Sequence, residues 1–423
     1  MPGDMARRDG FGNEIDPELS YATGAILSTA EDQYDEALAA RRIIRDRWEA
    51  EGPESIFNFS GLERGFPADA GDLQAVDDET APALYEERFT ELVLEHFGGD
   101  PGEHDAFLAN RMTAATVSTF RTLVEPGQTV VGAAPNVSHA SVVRSADVVD
   151  AEFVDTHSAD EFVEAFDAAD DVALVVLSRM DVTYEILDEE DVERVVSHAK
   201  SHGVPVYADD AGGARVAPAL FDRRRSLELG VDLVSTGLDK YGVTGPRFGA
   251  MGGDADLVRR VRSEAWKLGL EARPTFVIGA VRSLEGYDPD LVRERYAATK
   301  EVGDELRTHF GDDVGETSSI VKLTGEDVLR TALDRAGVDD PPIVPIEATG
   351  ALSMLMLRDH GVVTVHFVGI PSGTPDFLLK FMPPAEIERF GGAAAFADAV
   401  DGAVDDLAAT LDDPAALRTL LLG

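Results

Sequence analysis

The chain has 423 residues, 44% of them hydrophobic, and its 80 Asp+Glu against 37 Lys+Arg leave a net charge of −43. That apolar content can bury a sizeable core and excludes an acidic disordered chain, while the charge repels nucleic-acid phosphates. Cysteine is absent, which excludes a disulfide framework, a cysteine zinc site and a thiol nucleophile.

No apolar run approaches the roughly 18 residues of a membrane span. The opening MPGDMARRDGFGNEIDPELS lacks the apolar stretch of a signal peptide. A soluble, cytoplasmic protein is expected. The length suggests two or three domains at roughly 150 residues each.

Residues 1–60 read as an N-terminal helical arm, with Ala37, Leu38, Ile43, Ile44 and Trp48 on the apolar face of one helix. A Gly- and Pro-rich loop follows (59–72), then a helix over 80–97. From about 105, helices and short apolar runs alternate. A helix over 112–124 leads to the strand QTVVGAAP, and a second strand lies in 147–155. A helix over 158–168 precedes the strand VALVVLS (172–178), and a helix over 188–201 precedes VPVYADD (204–210). A short helix near 222–229 and the strand DLVSTGLDK (232–240) complete the series. This alternation predicts an α/β domain with a mostly parallel sheet over 61–285. After about 285 the pattern changes. A long helix over 290–311, a strand in SSIVKLTG, a helix in EDVLRTALDRAG, a strand VVTVHFVGI (362–370) and a helix over 384–411 predict a smaller C-terminal α+β domain, 286–423.

Four features of the α/β region belong together. Only six residues are lysine, and Lys240 alone among them sits between a strand and a Gly/Pro-rich turn. That is where a lysine can lose its proton and bond to a cofactor aldehyde as a Schiff base. Asp209, in VYADDAGGAR, stands at the carboxyl end of a strand, where a carboxylate can keep a pyridine nitrogen protonated. Asp210 beside it is the alternative; the Asp-x-Ala spacing favours Asp209. ANRMTAATVSTF (109–120) opens a helix whose first amides can hold a phosphate, with Arg111, Met112, Thr113 and Ala114 as candidates and Arg247 as a further contact. His139, in APNVSHASVV, can stack on a cofactor ring. Each feature alone has a bland reading as a surface lysine, turn carboxylate, helix cap or loop histidine. Together they point to pyridoxal phosphate. Arg273 and Arg215 are candidates to grip a substrate carboxylate as a bidentate pair. No metal ligand is assigned. Neither G-x-x-x-x-G-K-[ST] nor a G-x-G-x-x-G at a strand–helix turn is present, which counts against a nucleotide site.

These residues resemble fold-type-I PLP-dependent enzymes. More narrowly they resemble the selenocysteine synthase (L-seryl-tRNA selenium transferase)-like superfamily, in its archaeal PLP-protein branch. The likeness is carried by FNFSGLERGFPADAGDL (57–73), ELVLEHFGGD (91–100), FLANRMTAATVSTFRTLVEPGQTVV (107–131), VYADDAGGARV (206–216), TGLDKYGVTGPRFGAMGG (236–253) and KLGLEARPTFVIGAVRSLEGY (267–287). It implies that Lys240 carries the cofactor, that Asp209 meets its ring nitrogen, and that the protein forms a homodimer or higher homo-oligomer. It also implies amino-acid chemistry by β-elimination or β-replacement, in a lyase or transferase. Selenium or sulfur transfer onto a seryl-type tRNA and a non-catalytic PLP-binding role are the alternatives. The acid-rich first hundred residues make tRNA an unlikely partner. The scarcity of lysine beside dispersed acid, as in DAADD (167–171), DEED (188–191) and DDPAAL (412–417), resembles proteins of halophilic archaea. There salt shortens the Debye length to about 3 Å at 1 M and screens self-repulsion.

Overall fold

The computed structural model describes residues 7–16, 19 and 21–423. Positions 1–6, 17, 18 and 20, in the opening segment read for a signal peptide, lie outside the described residues. The contacts divide the chain into two units. One is Glu63–Arg293; the other joins the residues up to Leu62 with Glu294–Gly423.

The first unit is built on a seven-stranded sheet. Its strands are β1 (His104–Ala109), β2 (Thr129–Ala133), β3 (Glu152–Thr156), β4 (Val172–Leu177), β5 (Val206–Asp209), β6 (Leu233–Gly237) and β7 (Gly249–Asp254). They lie in the order β1-β7-β6-β5-β4-β2-β3. Every neighbouring pair is parallel except those of β7, which runs antiparallel to both β1 and β6. Helices cover both faces, so the central strands carry continuous apolar runs rather than an alternation. In β4, Leu174, Val175, Val176 and Leu177 are all fully buried, each contributing roughly 1.5–3 kcal/mol.

Four of this unit's helices matter below: α1 (Met112–Leu123), α2 (Ala140–Val148), α3 (Ala159–Ala168) and α4 (Glu189–Ser201). Two expectations shift. The strand expected in 147–155 begins only at Glu152, after α2. The helix expected near 222–229 lies earlier, at Gly213–Phe221; Asp222 ends it in the left-handed region (φ 52°), and only a 3₁₀ turn, Leu227–Leu229, follows.

The second unit holds a three-stranded antiparallel sheet, Phe377–Leu379, Val321–Leu323 and Val314–Glu316 in that order, and a short parallel pair, Phe57–Asn58 with Val362–Val363. The N-terminal segment is part of this unit rather than a separate arm. Helix Ala30–Glu51 packs on Pro345–His360 and Pro414–Leu422, and the buried Glu347 carboxylate accepts the amides of Ile26 and Leu27 at 2.6 and 2.8 Å. The boundary with the first unit falls inside helix Pro289–Phe310 rather than at 285. The expected strand 362–370 stops at Val363 and turns through His366–Val368. A buried bond between His366 Nε2 and Glu36 Oε2 (3.1 Å) takes up that side chain and overrides β propensity. The helix expected over 384–411 is two, Pro384–Phe390 and Ala393–Thr410, broken by Gly391 and Gly392 at φ 117° and 98°. No helix among the described residues is long and apolar enough to cross a membrane.

Candidate active site

The sheet topology assembles the site. In parallel strands every carboxyl end faces one edge, where ligands of open α/β sheets bind. Arg111 follows β1, His139 follows β2, Ser178 follows β4, Asp209 ends β5 and Lys240 follows β6. Arg247 precedes β7, and because β7 is antiparallel its start lies at that same edge. In strand order, residues far apart in sequence line up as Arg111, Arg247, Lys240, Asp209, Ser178 and His139.

Lys240 folds back over its own strand. Its Nζ lies 3.0 Å from Asp239 Oδ1, and a Cβ on Gly237 would stand 2.7 Å from that nitrogen, so a side chain there would push the ammonium from this position. Asp239 is buried, and its other oxygen meets Arg64 Nε at 3.1 Å and Arg247 Nε at 3.7 Å. Burial pushes its carboxyl up, but the charges of Lys240, Arg64 and Arg247 outweigh burial and hold it well below the usual carboxylate range.

Asp209 and Asp210 have opposite surroundings. Asp210 Oδ2 is 3.2 Å from Arg179 Nη1 and accepts the Ser226 hydroxyl; Arg179 also donates to Ser226 Oγ at 2.9 Å and to the Arg224 carbonyl at 2.8 Å. All three side chains are buried, so this triad is committed to tying the β4 and β5 ends to the following loop. Asp209 is equally buried without such a cation. Burial first, and then the neighbouring Asp210 charge, push it up to about 7, against the opposing pull of Lys240 and the Ala211 amide.

The first turn of α1 is set against the sheet by two devices. A Cβ on Gly249 would stand 2.6 Å from Met112 Cα, so the glycine lets backbone meet backbone. Deeper in the sheet, the buried Tyr207 hydroxyl bridges Thr116 Oγ1 (2.9 Å) and Ser235 Oγ (2.5 Å). The amides of Met112 and Thr113 have no acceptor within the helix, whereas that of Ala114 already donates to the Arg111 carbonyl at 2.9 Å. Arg247 is pushed down to about 10 by burial and by the like charges of Arg64 and Arg111. Arg64 and Arg247 share the Asp239 carboxylate, and Arg111 adds a third positive charge felt by Arg247.

His139 caps α2, its Nδ1 accepting the Ser141 amide at 3.0 Å. Its loop is tied down by Asp155, which accepts the Ser138 amide and hydroxyl at 2.9 and 2.7 Å, and by Asp181, which accepts the Asn136 amide at 2.8 Å. Desolvation first, then Lys240 and Arg144, push His139 down to about 4. The residue as a whole is exposed, and water at its open edge offsets part of that desolvation.

The two substrate-arginine candidates have different surroundings. Arg215 is fully buried, with Nη1 on Thr236 Oγ1 at 3.3 Å and with Nε and Nη2 lacking a hydrogen-bond partner among the described residues. Arg273 is exposed and paired with Asp78, beside a separate groove lined by Pro82, Arg262 and Trp266. Three residues escape a reading of the sequence. Arg64 lies in a segment marked only as loop. Asp239 is hidden by its neighbour Lys240. Ser178, whose buried hydroxyl has no partner among the described residues, is one more strand-end serine.

No family model matches the chain. It is 35% identical over 389 residues to a UPF0425 pyridoxal phosphate-dependent protein of Methanothermobacter thermautotrophicus, covering 91% of this chain and 96% of that one. A second protein of that name, from Methanosphaera stadtmanae, is 28% identical over 79% of this chain and 84% of its own length. Among solved structures, a complex of SepCysS with the SepCysE N-terminal domain superposes with a TM-score of 0.59 at 14% identity, covering 86% of this chain and 99% of that one. Serine palmitoyltransferase from S. paucimobilis gives 0.54 at 18% identity, covering 86% and 84%. At such identities the structures show the shared fold, that of fold-type-I PLP enzymes. The relative at 35% shows more: the chain belongs to the UPF0425 pyridoxal phosphate-dependent protein family.

Proposed function

We propose that this protein is an enzyme that holds pyridoxal phosphate covalently through Lys240 and acts on an amino acid or its derivative by β-elimination or β-replacement. The observation that carries the reading is the row of groups along one sheet edge: anion pocket, lysine, buried carboxylate. The residues present fit the cofactor. Arg64 and Arg111 repel Arg247, and the amides of Met112 and Thr113 have no acceptor within their helix, a setting suited to a dianionic phosphate. Asp209, held near 7 by burial, gains a partner for its charge when it faces a protonated ring nitrogen. The buried Ser178 hydroxyl lacks a partner among the described residues, and a polar ring substituent would supply one.

When bound, pyridoxal phosphate supplies an electron sink for a bond broken at the substrate Cα. The chain's own residues do the rest. Lys240 would anchor the cofactor and would serve as the base for a proton at the substrate Cα. Asp239 keeps the lysine and two arginines in register. Asp209 holds the proton at the ring nitrogen. Ring stacking is assigned to His139. The choice of β-chemistry over transamination rests on the likeness to the selenocysteine synthase group.

Purified protein should absorb in the visible and form a borohydride-stable link to the cofactor. Lys240→Ala should abolish that link, and a link retained in the variant would overturn the assignment. Spectral changes on addition of single amino acids would count for an enzyme, and silence across a broad panel for a binding protein. Binding of bulk tRNA at low salt, with a steep salt slope, would favour the tRNA-linked alternative.

A further inference from the structure

On the outer side of the first unit, α3 and α4 bring together three groups that ligate transition metals. His198 and His202 are one helical turn apart at the end of α4, with His202 as its cap. Asp167 comes from the last turn of α3. One donor atom from each lies within 4.8 Å of the other two. His198 Nε2 and Asp167 Oδ1 are 2.9 Å apart, near the roughly 3.3 Å that separates neighbouring ligands around a tetrahedral zinc.

The rings are held in place. Phe166, itself buried, packs against His198 and His202 at centroid distances of 5.0 and 5.1 Å, and the two imidazoles lie 4.7 Å apart. His202 Nδ1 is 2.9 Å from the His198 carbonyl oxygen. Ser201 Oγ lies 3.1 Å from the same nitrogen; a carbonyl only accepts, so this pairing favours the tautomer with the proton on Nδ1 and the lone pair on Nε2. Ligating histidines are commonly oriented by such a bond from the second nitrogen. The plain alternative is a hydrogen bond that ties α3 to α4. It accounts for His198, whereas the exposed His202 ring bonds only to Ser201 and the His198 carbonyl of its own helix end and takes no part in that tie.

We propose that Asp167, His198 and His202 bind a divalent transition metal, with Zn²⁺ the best match and water completing the coordination. Two imidazoles and one carboxylate favour zinc, cobalt, nickel or copper over magnesium or calcium. The bound ion would clamp the carboxyl ends of two helices that carry no residue of the Lys240 group, so the proposal stands apart from the cofactor reading.

The test is calorimetric titration of the untagged, chelator-treated holoprotein with Zn²⁺, in excess Mg²⁺ to occupy the acidic surface. One equivalent should bind. His202→Ala and Asp167→Asn should each weaken that site by at least about tenfold. Zn²⁺ should also raise the melting temperature of the wild type but not of His202→Ala, a variant at an exposed position. Equal affinity of wild type and His202→Ala, or no Zn²⁺ binding that survives Mg²⁺, would overturn the proposal.

Discussion

Asp239 and Lys240 are adjacent in the chain and yet form an ion pair, Oδ1 to Nζ at 3.0 Å. The turn just beyond them, with Tyr241 and Gly242 at φ 50° and 95°, and the bare Gly237 beneath make this possible. The same carboxylate holds Arg64 and Arg247. One buried anion therefore organises both the lysine and part of the anion pocket.

Asp239→Asn removes that charge and should destabilise the fold by about 3 kcal/mol at pH 7, read by urea denaturation. The pH dependence identifies the cause. The folded carboxyl lies below its ordinary 3.8 because the three cations outweigh burial. A depressed group contributes stability above its unfolded pKa and loses it as pH falls. The gap between wild type and variant should hold from pH 7 to about 5 and shrink below about 4. A gap unchanged at pH 3 would assign the loss to packing.

Asp209 has the opposite sign. A carboxyl pushed up to about 7, chiefly by burial, contributes its full stability below the unfolded pKa and loses it as pH rises toward 7. Cofactor-free wild type should lose up to about 4 kcal/mol between pH 4 and 7 through this group. Asp209→Asn should escape that loss and be the more stable protein at pH 8. It should also gain less melting temperature from added pyridoxal phosphate than wild type does. A variant less stable than wild type at pH 8 would contradict this account of Asp209.

Asp210 separates structure from chemistry. Arg179→Ala leaves its charge buried and uncompensated, and should cost about 3–5 kcal/mol in urea denaturation. The visible spectrum of the surviving folded holoprotein should be unchanged, because the triad serves the loops rather than the ring. A shifted spectrum would move the ring-nitrogen role toward Asp210.

How much of this could be read beforehand follows from the range of each signal. The apolar run of β4 and the setting of Lys240 are local, and both are legible in the sequence. The glycine-rich β7, GAMGGD, has no strand propensity of its own; it pairs because β1 and β6 offer open edges on either side and Gly249 admits the α1 backbone. Asp239 and Arg64 lie 175 residues apart, and nothing local marks either. The surroundings of Arg215 are hidden for the same reason. Its place beside Asp-Ala-Gly-Gly looks like an open cation, but the helix Gly213–Phe221 turns it wholly inward.

The anion pocket can be tested without catalysis. Burial and the charges of Arg64 and Arg111 push Arg247 down to about 10, and an anion among the three relieves that repulsion. Inorganic phosphate should therefore raise the melting temperature of cofactor-free wild type in a saturable way, at constant ionic strength. Arg247→Ala loses one charge-assisted contact, worth roughly 1.5–3 kcal/mol. Its affinity for phosphate and for pyridoxal phosphate should fall by about 10- to 100-fold. Arg273→Ala, on the separate groove beside Asp78, should change neither. If the two variants behave alike, the phosphate does not sit at the sheet edge.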